Sequence, residues 1–592
     1  MKTIIKNTVI ALFVSTIAIS AQAQQAEQSS EENISENTQQ AELAPEENVN
    51  AQIEEAPQEV VEEKPAAKVE SSNIRSILNS SSELVIENYP IDKAQLRRVY
   101  ETNNYAPLFF ANGKELPAAV RAYELIGKAE ENGQNKSEFD VDLIKRRVAA
   151  DDANSSAKTD ILTTQKILNL IKNIRYGRKI PKDIGFETYF RFMPKTLDVV
   201  SAFSQAIKTS DVDAFINSIS PQHKEYADLK NALKNLLAEP DDGFKYIDMA
   251  GVEIKPNMSD YRIPLIRQRL KAKRPINPAE SGNRNLYDSE LQKSVRNFQK
   301  SFGVDNGAVI DKETIKRLNV GKKEKIAIVK MNMERWRWLP DNLGDDKYII
   351  ISLNDYKYKA YQNHELVEEM FAVVGRAQRR TPIMNSIVLN MTFQPFWYVP
   401  RKYALDLLVP QLQKNNRYLE KDDILVYRTV NGKQEQVDPT TVDWSKINPS
   451  NYNFAMRQNP GEHNALGQVK FELLNDKEIF MHGTSEPEVF SKDLRAISAG
   501  CVRVADPLKV SHFLVENNAD REWAINKLEE LYTAHKSGLS YEQRVKSVRI
   551  DLKNKIPLYM VYFTASVNDK GELVFQEDIY NIDEQMAAVF NK

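Results

Sequence analysis

Cysteine occurs once in this chain, at position 501 of 592. A single thiol excludes an internal disulfide framework and a multi-thiolate metal cluster. Histidine is scarce as well, with six residues, and His463, His482 and Cys501 lack the tight spacing of a zinc site. No metal and no cofactor are therefore expected. Long apolar runs are missing: the best, from about Thr8 to Ile19, falls short of the ~20 residues that span a bilayer. The net charge is only −3, with no dense basic patch and no nucleic-acid motif, so no nucleic-acid partner is expected. Residues 24–70 lack aromatics and glycine altogether and hold thirteen glutamates against two lysines. Such a stretch has too little apolar surface to fold, and residues 24–71 read as an acidic disordered linker.

Before it, Lys2 and Lys6, the short apolar run and Ala21-Gln22-Ala23 have the layout of a secretory signal over residues 1–23, with cleavage after Ala23. Left uncleaved, it would act as a membrane tether. No cysteine follows it, which excludes a lipoprotein anchor. With −11 in residues 24–70, +2 in the signal and −3 overall, residues 71–592 carry +6. That charge suits an anionic polymer, but spread over so long a body it means little.

The body is too long for one core, and a multidomain α+β chain is expected. Residues 72–255 show helical patterns at Leu96–Tyr105, Ala118–Asn132, Lys158–Tyr176, Thr196–Ile207 and Tyr226–Leu237, a helical scaffold with no catalytic constellation. His223 there reads as a solvated loop residue. Over 256–322, Ile266 and Leu270, then Leu291, Val295, Phe298 and Phe302 up to Gly303, then Asp311 capping Ile315 and Leu318, predict a small three-helix domain. From Lys325 the pattern turns to strands, and 323–592 is expected to be mainly antiparallel β. Residues 401–462, with helical Tyr403–Asn415, interrupt it as a helical lid. Trp523–His535 is expected to be helical, and Leu558–Thr564 with Leu573–Phe575 to close the sheet.

The chemistry is concentrated in Met481–Val504. His482 ends a strand-like run at Gly483, and Cys501 follows nineteen residues later. A thiol attacks a carbonyl as thiolate, and a neighbouring imidazole is the usual means of forming one. A lone cysteine is equally a small buried hydrophobe. Export weighs against that reading, because an unpaired thiol outside the cytoplasm is exposed to oxidation. Gly500 suits a tight turn that brings backbone N–H groups to a substrate oxygen.

Ile497-Ser-Ala-Gly-Cys-Val-Arg-Val504, preceded by His482-Gly483-Thr484, resembles the signature of the L,D-transpeptidases, the YkuD-type catalytic domain. Gly375, Arg380-Thr381-Pro382 and Pro395–Pro400 also match positions of that family. The flanking regions resemble its large periplasmic branch typified by YcbB, and residues 256–322 resemble a peptidoglycan-binding domain. The resemblance implies acyl transfer between peptidoglycan stem peptides in a periplasm, forming 3→3 cross-links. Cys501 would be the nucleophile and His482 the general acid and base. Gly500, Ser498, Arg503, Gly483 and Trp397 would bind substrate or the oxyanion, and carbapenem-type β-lactams would capture Cys501. Ala499 stands where relatives often carry histidine or serine, and Phe480 where many carry tyrosine. Hydrolysis of stem peptides by the same pair, as a carboxypeptidase or peptidase, and wall binding without activity are the competing readings.

Overall fold

The computed structural model describes residues 65–149, 153–178, 186–188, 195–240, 243–273, 282–300, 306–430, 432–515 and 547–590, with positions 526 and 530. The expected signal, most of the acidic linker, Phe302 with Gly303 and most of the helix expected at 523–535 lie outside the described residues. Lys64–Lys592 form one compact unit.

The helical region packs around α1 (Ala153–Tyr176), which buries Ile161, Leu168, Ile171 and Ile174. A helix at Pro65–Asn79 reaches back into the span expected to be linker, and Ile74 and Leu78 anchor it in the same core. Further helices run over Lys93–Glu101, Ala118–Gly127, Val141–Val148, Val199–Ala206 and Val212–Ile219. The next helix, α2 (Lys224–Ala238), places Tyr226, Leu229 and Leu233 in the core of the following β domain instead. His223, at its start, is not solvated: its Nε2 lies 2.9 Å from the Pro340 carbonyl and its ring packs on Trp336.

Three short helices follow, α3 (Ile263–Arg269), α4 (Ser289–Lys300) and α5 (Lys312–Leu318), sharing a core of Ile266, Leu291, Val295, Ile315 and Leu318. Asp311 caps α5 by accepting from the Thr314 N–H at 2.7 Å. The chain then departs from expectation. Lys322–Trp338 is a 17-residue helix, α6, where strands were expected from Lys325. Val329 and Met331–Trp338 are all buried, so the second half of the helix has no polar face and no period to betray it.

The β domain is a ten-stranded sheet. Its strands include β1 (Lys347–Ser352), β2 (Lys357–Gln362), β3 (Glu365–Gly375) and β4 (Ile383–Phe393). An insertion begins with β5 (Trp397–Tyr398) and contains β6 (Ile424–Val430), β7 (Lys433–Val437) and β8 (Phe454–Gln458). The large sheet resumes with β9 (Val469–Leu473), β10 (Phe480–His482), β11 (Ala496–Ser498), β12 (Val502–Val504) and β13 (Val548–Val561). The order β9-β10-β12-β3-β2-β1-β13-β4 closes on itself because β4 also pairs with β9. Phe186–Thr188 adds a parallel strand to β4. Pairing is mixed: β10 with β12, β11 with β3 and β13 with β1 are parallel.

Two expectations are corrected here. The insertion is only in part helical: helical turns cover Arg401–Leu412, largely within the span expected to be a helix. Strands β5 to β8 form a four-stranded sheet with its own core of Leu408, Leu412, Val426, Trp444 and Phe454. The β-branched run Ile424–Val430 before Asn431-Gly432 is the hairpin signal the sequence carries for the strands that follow those turns. Leu573–Phe575 does not close the large sheet either; it makes a separate hairpin with Ala565–Val567. The last helix, α7 (Ile582–Phe590), packs back on α6, where Arg335 meets Asp583 at 2.6 Å.

Candidate active site

Alternation decides what the central strands present. Val469, Phe471, Met481, Val502 and Val504 are buried in the sheet's core, so Lys470, Phe480, His482 and Arg503 project from its other face. The register aligns them, with Lys470 opposite His482 and His482 opposite Arg503. Cys501 lies one turn-residue before β12, on the same side as Arg503. The parallel β10–β12 pairing needs a crossover. Residues 483–501 supply it, through a 3-10 turn at Pro487–Ser491 and the short strand β11.

That crossover is pinned at its cysteine end. Ser498, buried, donates its hydroxyl to the Cys501 carbonyl at 2.6 Å and accepts from the Gly500 N–H at 3.1 Å. Thr381 donates to the Gly500 carbonyl at 2.7 Å and accepts from the Gly375 N–H at 2.8 Å. The Tyr580 hydroxyl donates to the Gly375 carbonyl at 2.5 Å. Gly500 has φ +125°, a conformation that a side chain would strain, and an added Cβ would stand 3.3 Å from Ile479.

His482 is only 5% exposed. Its Nδ1 donates to the Gly483 carbonyl at 2.6 Å, which leaves Nε2 the free base position in that tautomer. Burial pulls the ring down to about 3, reinforced by Arg503 and Lys470 and opposed by the Gly483 and Leu466 carbonyls. The Cys501 thiol points at the Glu478 carbonyl, 3.7 Å away. Burial pushes that thiol above its ordinary value, while the Phe480 N–H, Lys470 and Arg503 favour thiolate. The resting pair is therefore neutral thiol and neutral imidazole. Arg503 is committed to Glu486 at 3.3 Å and stands 3.5 Å from the Thr484 hydroxyl.

Of the residues singled out in the sequence, Cys501, His482, Gly483, Ser498, Gly500 and Arg503 converge. Trp397 lies on β5 of the insertion, with its ring 5.2 Å from Tyr403. The insertion reaches the site. Asp406 pairs with Arg379, and the charges of Arg503 and Arg376 act on the Tyr403 hydroxyl, whose pKa burial raises. Lys470, Tyr580 and Gly467 escaped sequence reading. Gly467 has φ +62°, and a Cβ there would collide with the Thr484 backbone at 2.4 Å, so it lets the β9 entrance lie against the histidine strand. A lysine between inward-facing Val469 and Phe471 was the one available signal for Lys470. Among the described residues no cluster of His, Cys, Asp or Glu could hold a metal ion.

Comparison with known proteins matches residues 94–233 to the Scaffold domain and residues 346–521 to the L,D-transpeptidase catalytic domain, YkuD. A Haemophilus influenzae protein named as an L,D-transpeptidase is 26% identical over 273 residues, 46% of this chain and 50% of that protein. The chain thus spans half the length of that relative. The solved structure of LD transpeptidase LdtMt1 in complex with imipenem aligns over 37% of this chain and 60% of that one, at 10% identity and a TM-score of 0.17. The catalytic match ends at 521, yet β13 (Val548–Val561) lies between β1 and β4, so the sheet is completed by residues beyond it. Residues 346–521, with His482 and Cys501 on neighbouring strand ends, are a YkuD-type L,D-transpeptidase catalytic domain.

Proposed function

We propose that the chain is a peptidoglycan L,D-transpeptidase that forms 3→3 cross-links through a Cys501 thioester. The observation that carries this reading is the parallel pairing that sets the Cys501 loop against the His482 strand inside the YkuD domain. His482 Nε2 takes the thiol proton as the sulfur attacks the carbonyl that follows the L-centre of the donor's third residue. The tetrahedral intermediate collapses, the C–N bond breaks, and the imidazolium returns its proton to the leaving D-alanine amine. An amine from the third residue of a neighbouring stem then attacks the thioester, His482 removes its proton, and the thiolate departs. The Gly500 N–H is committed to Ser498, so the oxyanion donor this loop offers is the Cys501 N–H. Arg503 is placed to meet a stem carboxylate by exchanging Glu486 for it.

Several parts of this reading rest on resemblance: export by residues 1–23 to a periplasm, wall contact by the three-helix domain, the YcbB-like branch, and capture of Cys501 by carbapenem-type β-lactams. The insertion favours transfer over hydrolysis, since a cover tied down at Arg379–Asp406 would keep water from the thioester. Incubation of the protein and of Cys501→Ala with disaccharide-tetrapeptide, followed by mass spectrometry, tests it. A Cys501-dependent dimer lacking one D-alanine is the expected product. Cys501-dependent tripeptide without dimer would replace transfer with carboxypeptidase action. No product, with the thiol reduced, would leave wall binding.

A further inference from the structure

The imidazole of the site has no carboxylate behind it. Its Nδ1 meets a backbone carbonyl, and its flanks on both sides are cationic. Lys470, His482 and Arg503 occupy paired positions on three adjacent strands, and so stand in one row at roughly 4.8 Å intervals. One step along, Glu472 is paired with Phe480, and the same parallel register carries that second row to Cys501. Lys470 leans from the first row into the second. Its Nζ lies 3.6 Å from the centre of the Phe480 ring and 3.1 Å from Glu472 Oε2. The phenyl ring is thus a platform for the ammonium.

We propose that Lys470 is a positioning residue that sets the charge state of the cysteine–histidine pair, held over Phe480 so that its ammonium and Arg503 bracket the imidazole and draw Cys501 toward thiolate. A carboxylate behind a catalytic histidine favours imidazolium; two cations beside it do the opposite and keep the base free. The same cations favour the anion that forms at sulfur. The two effects oppose each other while the proton moves from sulfur to the ring, and act together once the imidazolium passes that proton on to the leaving amine. Charged groups around the sulfur are Lys470 and Glu472 on β9, Glu478 and His482 on and before β10, and Arg503 on β12. Glu486 pairs with Arg503, and the backbone of Arg379 and Arg380 lies behind Gly500. Glu472 opposes Lys470 and Glu486 opposes Arg503, so each cation is partly offset by its own partner.

This inference rests on Cys501 being the nucleophile, but its test needs no peptidoglycan. Cys501 is the only cysteine, so the pH profile of iodoacetamide alkylation of the full chain reports that thiol alone. Lys470→Met should move the alkylation midpoint up by about one pH unit, and Lys470→Arg should restore it to within about a third of a unit. Glu472→Gln, which removes the opposing charge from a half-buried strand position, should move it down by about half a unit. Lys470→Met with an unchanged midpoint and native far-UV circular dichroism would overturn the proposal. If that variant does not fold, an unchanged Glu472→Gln midpoint overturns it alone. Midpoints that shift as expected in a protein forming no thioester with tetrapeptide would leave Lys470 its role and remove the transferase reading.

Discussion

Two places in this molecule bury ionisable side chains on adjacent elements, and they treat the charge in opposite ways. In the last turn of α6, Arg337 is fully buried with Glu334 at 3.1 Å, and its second terminal nitrogen reaches the Asn132 carbonyl at 2.7 Å and the Tyr226 hydroxyl at 3.0 Å. That charge is kept and answered at both terminal nitrogens, by groups from the scaffold, from α2 and from α6 itself. At β10 and β12, burial is answered by neutralisation: His482 gives up its proton and Cys501 keeps its own. A buried charge with partners on three elements holds those elements together. A buried pair left neutral, with a proton to move and cations at its edge, is prepared for a reaction. The difference separates scaffold from site without reference to any relative.

The sharpest test of the reactive half is removal of its base. His482→Gln should lower turnover of disaccharide-tetrapeptide by roughly 10²- to 10⁴-fold, the usual weight of general acid–base catalysis. The Tm should stay close to that of the parent, since the ring makes no charged contact. A turnover within a few-fold of the parent would mean that Cys501 ionises without it. The structural half breaks differently. Arg337→Met leaves Glu334 buried without its cation and should cost about 3–5 kcal/mol in urea denaturation followed by tryptophan fluorescence. Arg337→Met with Glu334→Leu should recover most of that loss, because two apolar side chains need no partners. The alkylation midpoint of Cys501 should not move in either variant. A shift there would show that the two places are coupled and that the contrast drawn between them is too clean.

Between these two in expected effect stands the bracing of the Cys501 loop. Thr381→Val keeps the shape of a fully buried side chain but strips hydrogen bonds from the Gly500 carbonyl and the Gly375 N–H. A cost of about 1–3 kcal/mol follows from leaving such groups unsatisfied. Turnover should fall more than alkylation does, because the loop's placement matters most when an oxyanion must be met. Equal losses in both would assign Thr381 to stability alone.

The legibility of the chain follows the same division. Cys501, His482, Ser498 and the glycines were readable because a nucleophile, a base and a tight turn demand particular residue types at one short stretch. The three-helix core was readable because Leu291, Val295, Ile315 and Leu318 keep a helical period against solvent. Helix α6 was not, since Arg335, Arg337 and Trp338 lie in a second half that is buried all round, and polar letters on a core helix look like a loop or an edge strand. Lys470 was hidden for a related reason: its meaning lies in cross-strand register, which the order of residues does not state. The same holds for Tyr580, some eighty residues after the cysteine loop it braces through Gly375.

His223 offers the mildest test, and it asks whether neutral burial by itself marks a site. Burial pulls this ring down to about 4, opposed by the Pro340 carbonyl, in the same direction as His482. Its folded pKa lies below the ordinary value of 6.5, so the unfolded chain binds the proton first as pH falls. Stability should thus be fully present above about pH 6.5 and decline toward about pH 4, at no more than about 1.4 kcal/mol per pH unit for one proton. His223→Gln, which retains an N–H donor for Pro340 but does not titrate there, should flatten the urea midpoint between pH 6.5 and 4.5. It should leave the alkylation profile of Cys501 unchanged. If it moved that profile, the ring would be acting on the thiol through α6. An unchanged profile with a flattened midpoint would show that a neutral buried histidine becomes chemical only where a nucleophile shares its face, as Cys501 does for His482.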